Sequence, residues 1–387
     1  MKAPLRVGIC GFGVAGGTLA ILLARLGHDV TLMERAPKLG PVGAGFLLQP
    51  SGQKVLERMG LLGAIVTKSA RVTALEAFTH RGRRLSELRY RDGCAFGVQR
   101  SVLFAQIHEA VIRSGVKIAL GAEAHAIEEH ATEVRMQDAG GNIHGPFDVL
   151  IGADGARSVV RDWMHPGSRH REYVHGALWG CGKSEWPSEK LHQVTCGTRR
   201  LLGLLPVGEG KCAFFWGMRR DEMESLRAPG FSAFREEAVK LCPQADEVLG
   251  QIGSFEHLMF AGYLDAMPKR IQTRRVVLAG DSAHAMSPHL GQGANLALLD
   301  AECLAKCLTE LPVERALIAY AAERRAHSRY LGWLSRMLSP FFQSENALLA
   351  LGRDFALPLL CEVPWTRRQM ELTVTGEKRG FFDRLVS

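Results

Sequence analysis

Three carboxylates in this chain each close a short apolar run: Glu34 after DVTLM, Asp154 in DVLIGADG and Asp281 in RRVVLAGD. Runs this apolar belong inside a sheet, so each carboxylate emerges at the carboxyl end of a strand, where open α/β sheets hold their ligands. After Asp281 the chain reads SAHAMSPHLGQGAN, a Pro- and Gly-rich loop followed by a helix that starts near Gln292. The first turn of such a helix presents unpaired N–H groups and about half a positive charge. A group that turns negative during a reaction would be stabilised there.

The elements that must position these groups are legible around them. Leu5, Val7 and Ile9 make a strand, Gly11 to Gly17 a glycine loop, and Leu19, Leu22, Leu23 and Leu26 the apolar side of a helix; a second strand runs from Asp29 to Met33 and ends at Glu34. Glycines at 11, 13 and 16 allow a tight turn, close backbone approach to a pyrophosphate and close helix-to-strand packing, while the acid accepts hydrogen bonds from an adenosine ribose diol. The third segment, Asp148 to Arg161, delivers Asp154-Gly155 and then Arg157, Ser158 and Arg161, a carboxylate and cations suited to a site shared with phosphates.

Together the three segments resemble the single-component FAD-dependent aromatic hydroxylases, the family of para-hydroxybenzoate hydroxylase, and the resemblance covers most of residues 1 to 330. It implies that Gly11, Gly13, Ala15, Gly16 and Glu34, with Arg35 beside them, bind the ADP half of FAD. The family's DG motif, used for FAD and for productive NAD(P)H interaction, is matched by Asp154-Gly155, and its GD motif by Gly280-Asp281, whose carboxylate holds the ribityl chain. The loop of Pro288, Gly291, Gln292, Gly293, Ala294 and Asn295 is then expected along the isoalloxazine ring, and Arg100 in VQRSVLFAQI matches a family arginine.

The implied fold is α/β: a Rossmann-type FAD-binding domain, a β-sheet substrate domain and a helical C-terminal region. The implied activity is hydride transfer from NADH or NADPH to FAD, O2 capture as a C4a-hydroperoxide, and hydroxylation of a small aromatic or heteroaromatic ring. A flavin-dependent reductase on the same fold, or a flavin-binding sensor without turnover, are the alternatives. The Trp-x-Trp-x-Ile signature of flavin-dependent halogenases does not occur.

Three positions depart from the family pattern. Phe12 stands where a small residue is usual and Ser282 replaces a common alanine, both compatible with FAD binding. Leu47, in GAGFLLQPSG, occupies a position where members that hydroxylate pyridine rings carry a histidine against the substrate hydroxyl. A leucine cannot move a proton, so any base must come from elsewhere. His289, next to Pro288, is the candidate, able to exchange a proton near neutral pH. Leu47, Trp179, Phe214, Trp216 and Met218 are pocket candidates, the last four, with Phe215, in predicted strands whose alternate residues face opposite sides, so that some line the pocket and others are core. His284 is read as structural.

Motif spacing sets the organisation. Residues 1–70, 98–165 and 272–310 are expected to form the FAD-binding domain, 71–97 and 166–271 a β-sheet domain roofing the flavin, and 311–387 a helical region in which Pro340 stops one helix and Pro358 interrupts another. The chain has 387 residues, 47% of them hydrophobic, and no run of about 18 uninterrupted apolar residues, which argues against a membrane span. Nine scattered cysteines without CxxC pairing read as reduced thiols, with no metal site, in a cytoplasmic protein, monomeric or homodimeric. The net charge of +8 is dispersed and carries no nucleic-acid motif, which suits attraction of anionic NAD(P)H instead.

Overall fold

The computed structural model describes residues 3–40, 43–91, 93–167, 170–186 and 188–381. A parallel five-stranded sheet is ordered Val276–Leu278, Val149–Gly152, Arg6–Cys10, Asp29–Glu34, Lys117–Leu120. Its central strand pairs Val7 with Val149 on one side and with Val30 on the other, so the ends of three strands far apart in sequence come level. Helices Val14–Arg25 and Gly293–Glu310 pack together over the sheet, and Leu19, Leu23, Ile9, Leu32, Leu298 and Leu304 share one fully buried core. A three-stranded antiparallel sheet, Ala124–Glu129, Val134–Asp138 and Ile143–Phe147, lies between the third and fourth strands in chain order.

The second large sheet has seven strands, ordered Met259–Asp265, Arg171–Lys183, Lys211–Arg219, Arg200–Gly208, Lys190–Cys196, Ala74–Thr79, Arg84–Arg89. Its side chains alternate. Phe214, Trp216 and Met218 pack with Leu202 and Leu204 against helices Phe231–Leu241 and Ala245–Ile252. Ala213 and Phe215 face the other way, toward Leu47, Leu205 and Val207. A small sheet of Gly45–Leu48, Ala95–Gln99 and Ala70–Val72 joins this face to the first domain.

Three helices follow, Val313–Phe342, Ala347–Glu362 and Pro364–Val374. The first ends at Phe342, within a turn of Pro340 as expected, but the expected interruption at Pro358 does not occur. Pro340 falls in the last turn, where little helix remains to disrupt, and Pro358 lies inside a continuous helix. Arg353, in that same helix, is buried and anchors it by donating to Gly197 O and Phe341 O. Among the described residues no helix is long and apolar enough to cross a membrane.

Candidate active site

The glycine loop is built as its spacing requires, but its glycines have different reasons. Gly11 has φ +102° and a Cβ there would lie 2.5 Å from Ala153 O; at Gly16 a Cβ would lie 2.0 Å from Gly11 O. Those two are demanded by the protein's own packing. Gly13 is not: a Cβ would meet only Ala153 O, at 3.9 Å. Its bareness leaves room on the crevice side, which is what a closely approaching pyrophosphate needs.

Glu34, Asp154 and Asp281 line one crevice of about 360 Å³, together with Gly11, Gly13, Arg35, Gly155 and Arg157. The Glu34 carboxylate accepts from Phe12 N at 2.6 Å and Ala36 N at 2.9 Å, which fixes it at the rim. Asp154 accepts from Ser158 Oγ at 2.5 Å and Val160 N at 3.2 Å; burial pushes its pKa up, and those bonds offset part of the effect. Of the cations beside it, Arg157 reaches the crevice, whereas Arg161 is buried and turned toward Ser282 O. Arg35 is exposed, 3.9 Å from Glu123. On the other flank of Phe12–Gly13 is a hollow of about 170 Å³ lined by Phe46, Arg100, Phe104 and Ala294. Arg100 lies over the Phe46 ring and within electrostatic reach of Asp281. Helices Val14–Arg25 and Gly293–Glu310 both begin here, and neither has a side-chain N-cap. Their free N–H groups supply positive potential to the crevice.

Gly280 adopts φ 67°, ψ −142°, a conformation glycine tolerates, and so turns Asp281 out of the strand. Ala15 packs beneath it; a Cβ on Gly280 would sit 2.9 Å from Ala15 Cβ. The turn is held from below by a buried charge cluster that sequence reasoning missed. Asp300 accepts from Gly280 N at 2.9 Å, from His284 Nε2 at 2.5 Å and from Arg324 Nε at 2.6 Å. Burial opposes the Asp300 charge, but the two cations outweigh it and hold the carboxyl well below the usual range. Burial likewise works against a charged His284, yet Asp300 raises its pKa on balance. His284 is thus a structural partner of Asp300. Nothing in the sequence pairs Asp300 with Arg324 before the helices are folded together.

In the loop after Asp281, the polar side chains serve the protein. Asn295 is buried, its Oδ1 accepting from Gln49 N and its Nδ2 donating to Leu47 O and Gly291 O. Gln292 donates to Val374 O at 2.5 Å. Both were expected at the cofactor; their side chains instead clamp the loop to the Leu47 segment and the C-terminal helix. Gly291 has φ +62°, and Gly293 is open, with only Asp281 Oδ1 at 3.8 Å from a built Cβ. Pro288 is exposed. The His289 ring lies edge-on to Tyr263 and beside Phe342, with Nδ1 3.0 Å from Ser287 Oγ. Burial lowers its pKa to about 4, so it is neutral near pH 7.

The pocket candidates divide by strand face. Phe214, Trp216 and Met218 are fully buried in the helix-facing core and do not face the site side of the sheet. Trp179 lies on the opposite face with Phe215, ring centroids 5.0 Å apart, near the cluster that holds Leu47. Tyr263, beside His289, was not among the expected pocket residues. The alternation was visible in the sequence, but which parity faces the site depends on which side the helices of 231–252 dock. All nine cysteines are free, and among the described residues no cluster of three His, Cys, Asp or Glu could hold a metal ion.

Comparison with known proteins agrees with this geometry. The family described as FAD binding domain matches residues 5–331. The chain is 30% identical over 370 residues to 3-amino-4-hydroxybenzoate 2-monooxygenase of Streptomyces cremeus, covering 90% of this chain and 91% of that protein. It is 28% identical to aurachin C monooxygenase/isomerase of Stigmatella aurantiaca over 96% of this chain and all of that one. Among solved structures, the tetrameric form of 2-methyl-3-hydroxypyridine-5-carboxylic acid oxygenase superposes with a TM-score of 0.78 at 25% identity, covering 92% and 98% of the two chains. The chain belongs to the FAD binding domain family and, within it, to the FAD-dependent aromatic monooxygenases.

Proposed function

We propose that Glu34 holds the adenosine ribose of FAD, that Gly13 and the first turn of Val14–Arg25 receive its pyrophosphate, and that Asp281 and Arg100 flank the ribityl chain. The observation that carries this reading is the shared crevice: Glu34, Asp154 and Asp281, brought together from three strand ends, line one space onto which an uncapped helix opens. FAD, when bound there, accepts electrons from NADH or NADPH and delivers oxygen to an aromatic ring. The chain's own contribution is binding, orientation and exclusion of water. The N-terminus of Gly293–Glu310 supplies fixed positive potential beside the loop, which stabilises a ring that gains negative charge without reorganisation. Gly280 and the Asp300 cluster keep Asp281 in register.

The substrate, in this reading, lies between the Pro288–His289 loop, the Leu47 strand and the sheet face bearing Trp179 and Phe215. Relatives named for aminohydroxybenzoate and hydroxypyridine rings support an electron-rich aromatic carrying a polar substituent. Exposed arginines such as Arg35 and Arg157 at the mouth favour anionic NAD(P)H. Oxygen uptake by the purified holoenzyme with NADH or NADPH, with and without candidate rings, tests the reading. Uptake stimulated by a ring, with a hydroxylated product, supports it; uptake that no ring changes leaves a reductase or a sensor. Asp281→Ala is expected to purify largely without flavin, and a full yellow spectrum in that variant overturns the role given to Asp281.

A further inference from the structure

The helix Ala347–Glu362 is held from one side. Asn346 caps it, its Oδ1 accepting from Leu348 N at 2.9 Å and Leu349 N at 3.2 Å. Ala350 and Arg353 are buried beneath it, and Arg353, besides its two carbonyl bonds, donates to Asp354 at 2.6 Å. The opposite side is apolar and bare. Leu348, Leu351, Phe355 and, at the start of the next helix, Trp365 are 66–78% exposed, and Leu359, Leu360 and Val363 are 44–49% exposed. At roughly 150–200 Å² for a large side chain when fully exposed, these residues offer on the order of 700 Å² of apolar surface, more than the largest patch on a typical monomer.

The relief of this face selects its occupant. Residues four apart form ridges along a helix. Leu351, Phe355, Leu359 and Val363 make one ridge of large side chains, whereas the ridge beside it, Leu348, Gly352, Ala356 and Leu360, is large at both ends and small in the middle. A Cβ on Gly352 would meet nothing within 4 Å, so the dip there is open. The helix thus carries a projecting ring at Phe355 and, beside it, a hollow that can receive one. The apolar order is also close to palindromic about Phe355: Leu351 and Leu359 flank it at equal spacing, as do Leu348 and Glu362 farther out. A two-fold axis at Phe355 sets two such helices antiparallel with each ring in the other's hollow, and an isologous contact requires this kind of self-complementary surface.

Charge points the same way. Arg353 is turned inward, and among residues 347–363 Glu362 is the one exposed charge. A lipid surface favours a helix with outward lysines and arginines along its polar flank. An antiparallel copy instead brings the electropositive first turn of its helix to Glu362. We propose that Ala347–Glu362 is a dimer interface of this monooxygenase, packed antiparallel against the same helix of a second copy, with Phe355 of each seated at Gly352 and Ala356 of the other. The area offered by each copy approaches the roughly 800 Å² per partner of a standard stable interface. The helix is capped and anchored before it meets its mate, so little order has to be imposed on association.

Sedimentation velocity of the FAD-loaded full chain tests this. A dimer with a Kd of about 1 µM or tighter is expected. Phe355→Ser removes the projecting ring and Gly352→Leu fills the hollow; each should weaken association at least about hundredfold and leave monomer at about 10 µM, with near-ultraviolet circular dichroism and flavin content unchanged. The new side chain in Gly352→Leu meets nothing in the single chain and raises helix propensity, so loss of folding does not account for its effect. A tetramer that both variants reduce to dimers supports the same interface. A parent that stays monomeric at about 50 µM overturns the proposal, as does a dimer that both variants leave intact. Flotation of a monomeric parent, but not of Phe355→Ser, with phosphatidylcholine and phosphatidylglycerol vesicles overturns it by assigning the face to a membrane.

Discussion

Substitution of Asp300 by asparagine keeps its shape and removes the charge that neutralises Arg324 and His284 beneath the flavin-side turn. All three groups are buried, and among the described residues Arg324 has no other carboxylate in contact. Removing one partner of a buried pair costs about 3–5 kcal/mol, because the remaining ion stays desolvated. At about 2 °C per kcal/mol for a chain of this size, the melting temperature should fall by about 6–10 °C. The amide also weakens the charge-assisted bond to Gly280 N, worth about 1 kcal/mol, so FAD affinity should drop about five- to tenfold. Thermal unfolding followed by circular dichroism, and FAD retention during dialysis, measure the two effects separately. Because the cost comes from an unpaired charge, Asp300→Asn with Arg324→Met should recover at least half of the lost stability. The pH dependence has a fixed sign. The depressed Asp300 pKa gives a contribution complete above about pH 4 and lost on acidification, and the raised His284 pKa one complete below about pH 6.5 and lost as pH climbs through its folded value. In Asp300→Asn the acid-side dependence should vanish and the His284 dependence should reverse, since burial and Arg324 are then left to lower its pKa. A single variant within about 2 °C of the parent and full of FAD, or a double variant no better than the single, would refute the reasoning.

The glycine loop offers a contrast. Gly13→Ala should leave the melting temperature of the flavin-free protein unchanged and weaken FAD binding at least tenfold, since its Cβ meets almost nothing but the cofactor's space. Gly16→Ala should instead yield little folded protein, with a Cβ 2.0 Å from Gly11 O; soluble, stable Gly16→Ala would contradict the packing account. The sheet faces predict a second contrast. Trp216→Ala should cost about 3–5 kcal/mol of stability and leave KM for substrate close to its parent value, whereas Phe215→Ala should raise KM with a smaller loss of stability. Equal effects on KM from the two variants would mean that the faces have been assigned the wrong way round.

Chemistry that depends on local backbone was legible before folding. The strand, glycine loop, helix and terminal acid of residues 5–34 are neighbours in sequence, and the turn at Gly280-Asp281 is dictated by the residues on either side. Periodicity also marked the sheet strands, since burial on both faces leaves an apolar run. It failed at Pro358, which is carried inside a helix whose buried Arg353 finds carbonyls on two other segments, a compensation that no local pattern reveals.

What tertiary structure alone decided is the destination of polar and alternating side chains. Asn295 and Gln292 sit in a cofactor-like motif, yet their amides close the loop against Leu47, Gln49 and Val374, because those carbonyls and N–H groups arrive from distant segments. Phe214 and Phe215 are adjacent and chemically identical; only the docking of helices 231–252 sends one into the core and the other toward the site. The same holds for Asp300 with Arg324 and for His289 with its serines. Sequence specifies which groups exist and what their neighbours along the chain allow, whereas desolvation and hydrogen-bond partners are set across space, and these determine charge and role.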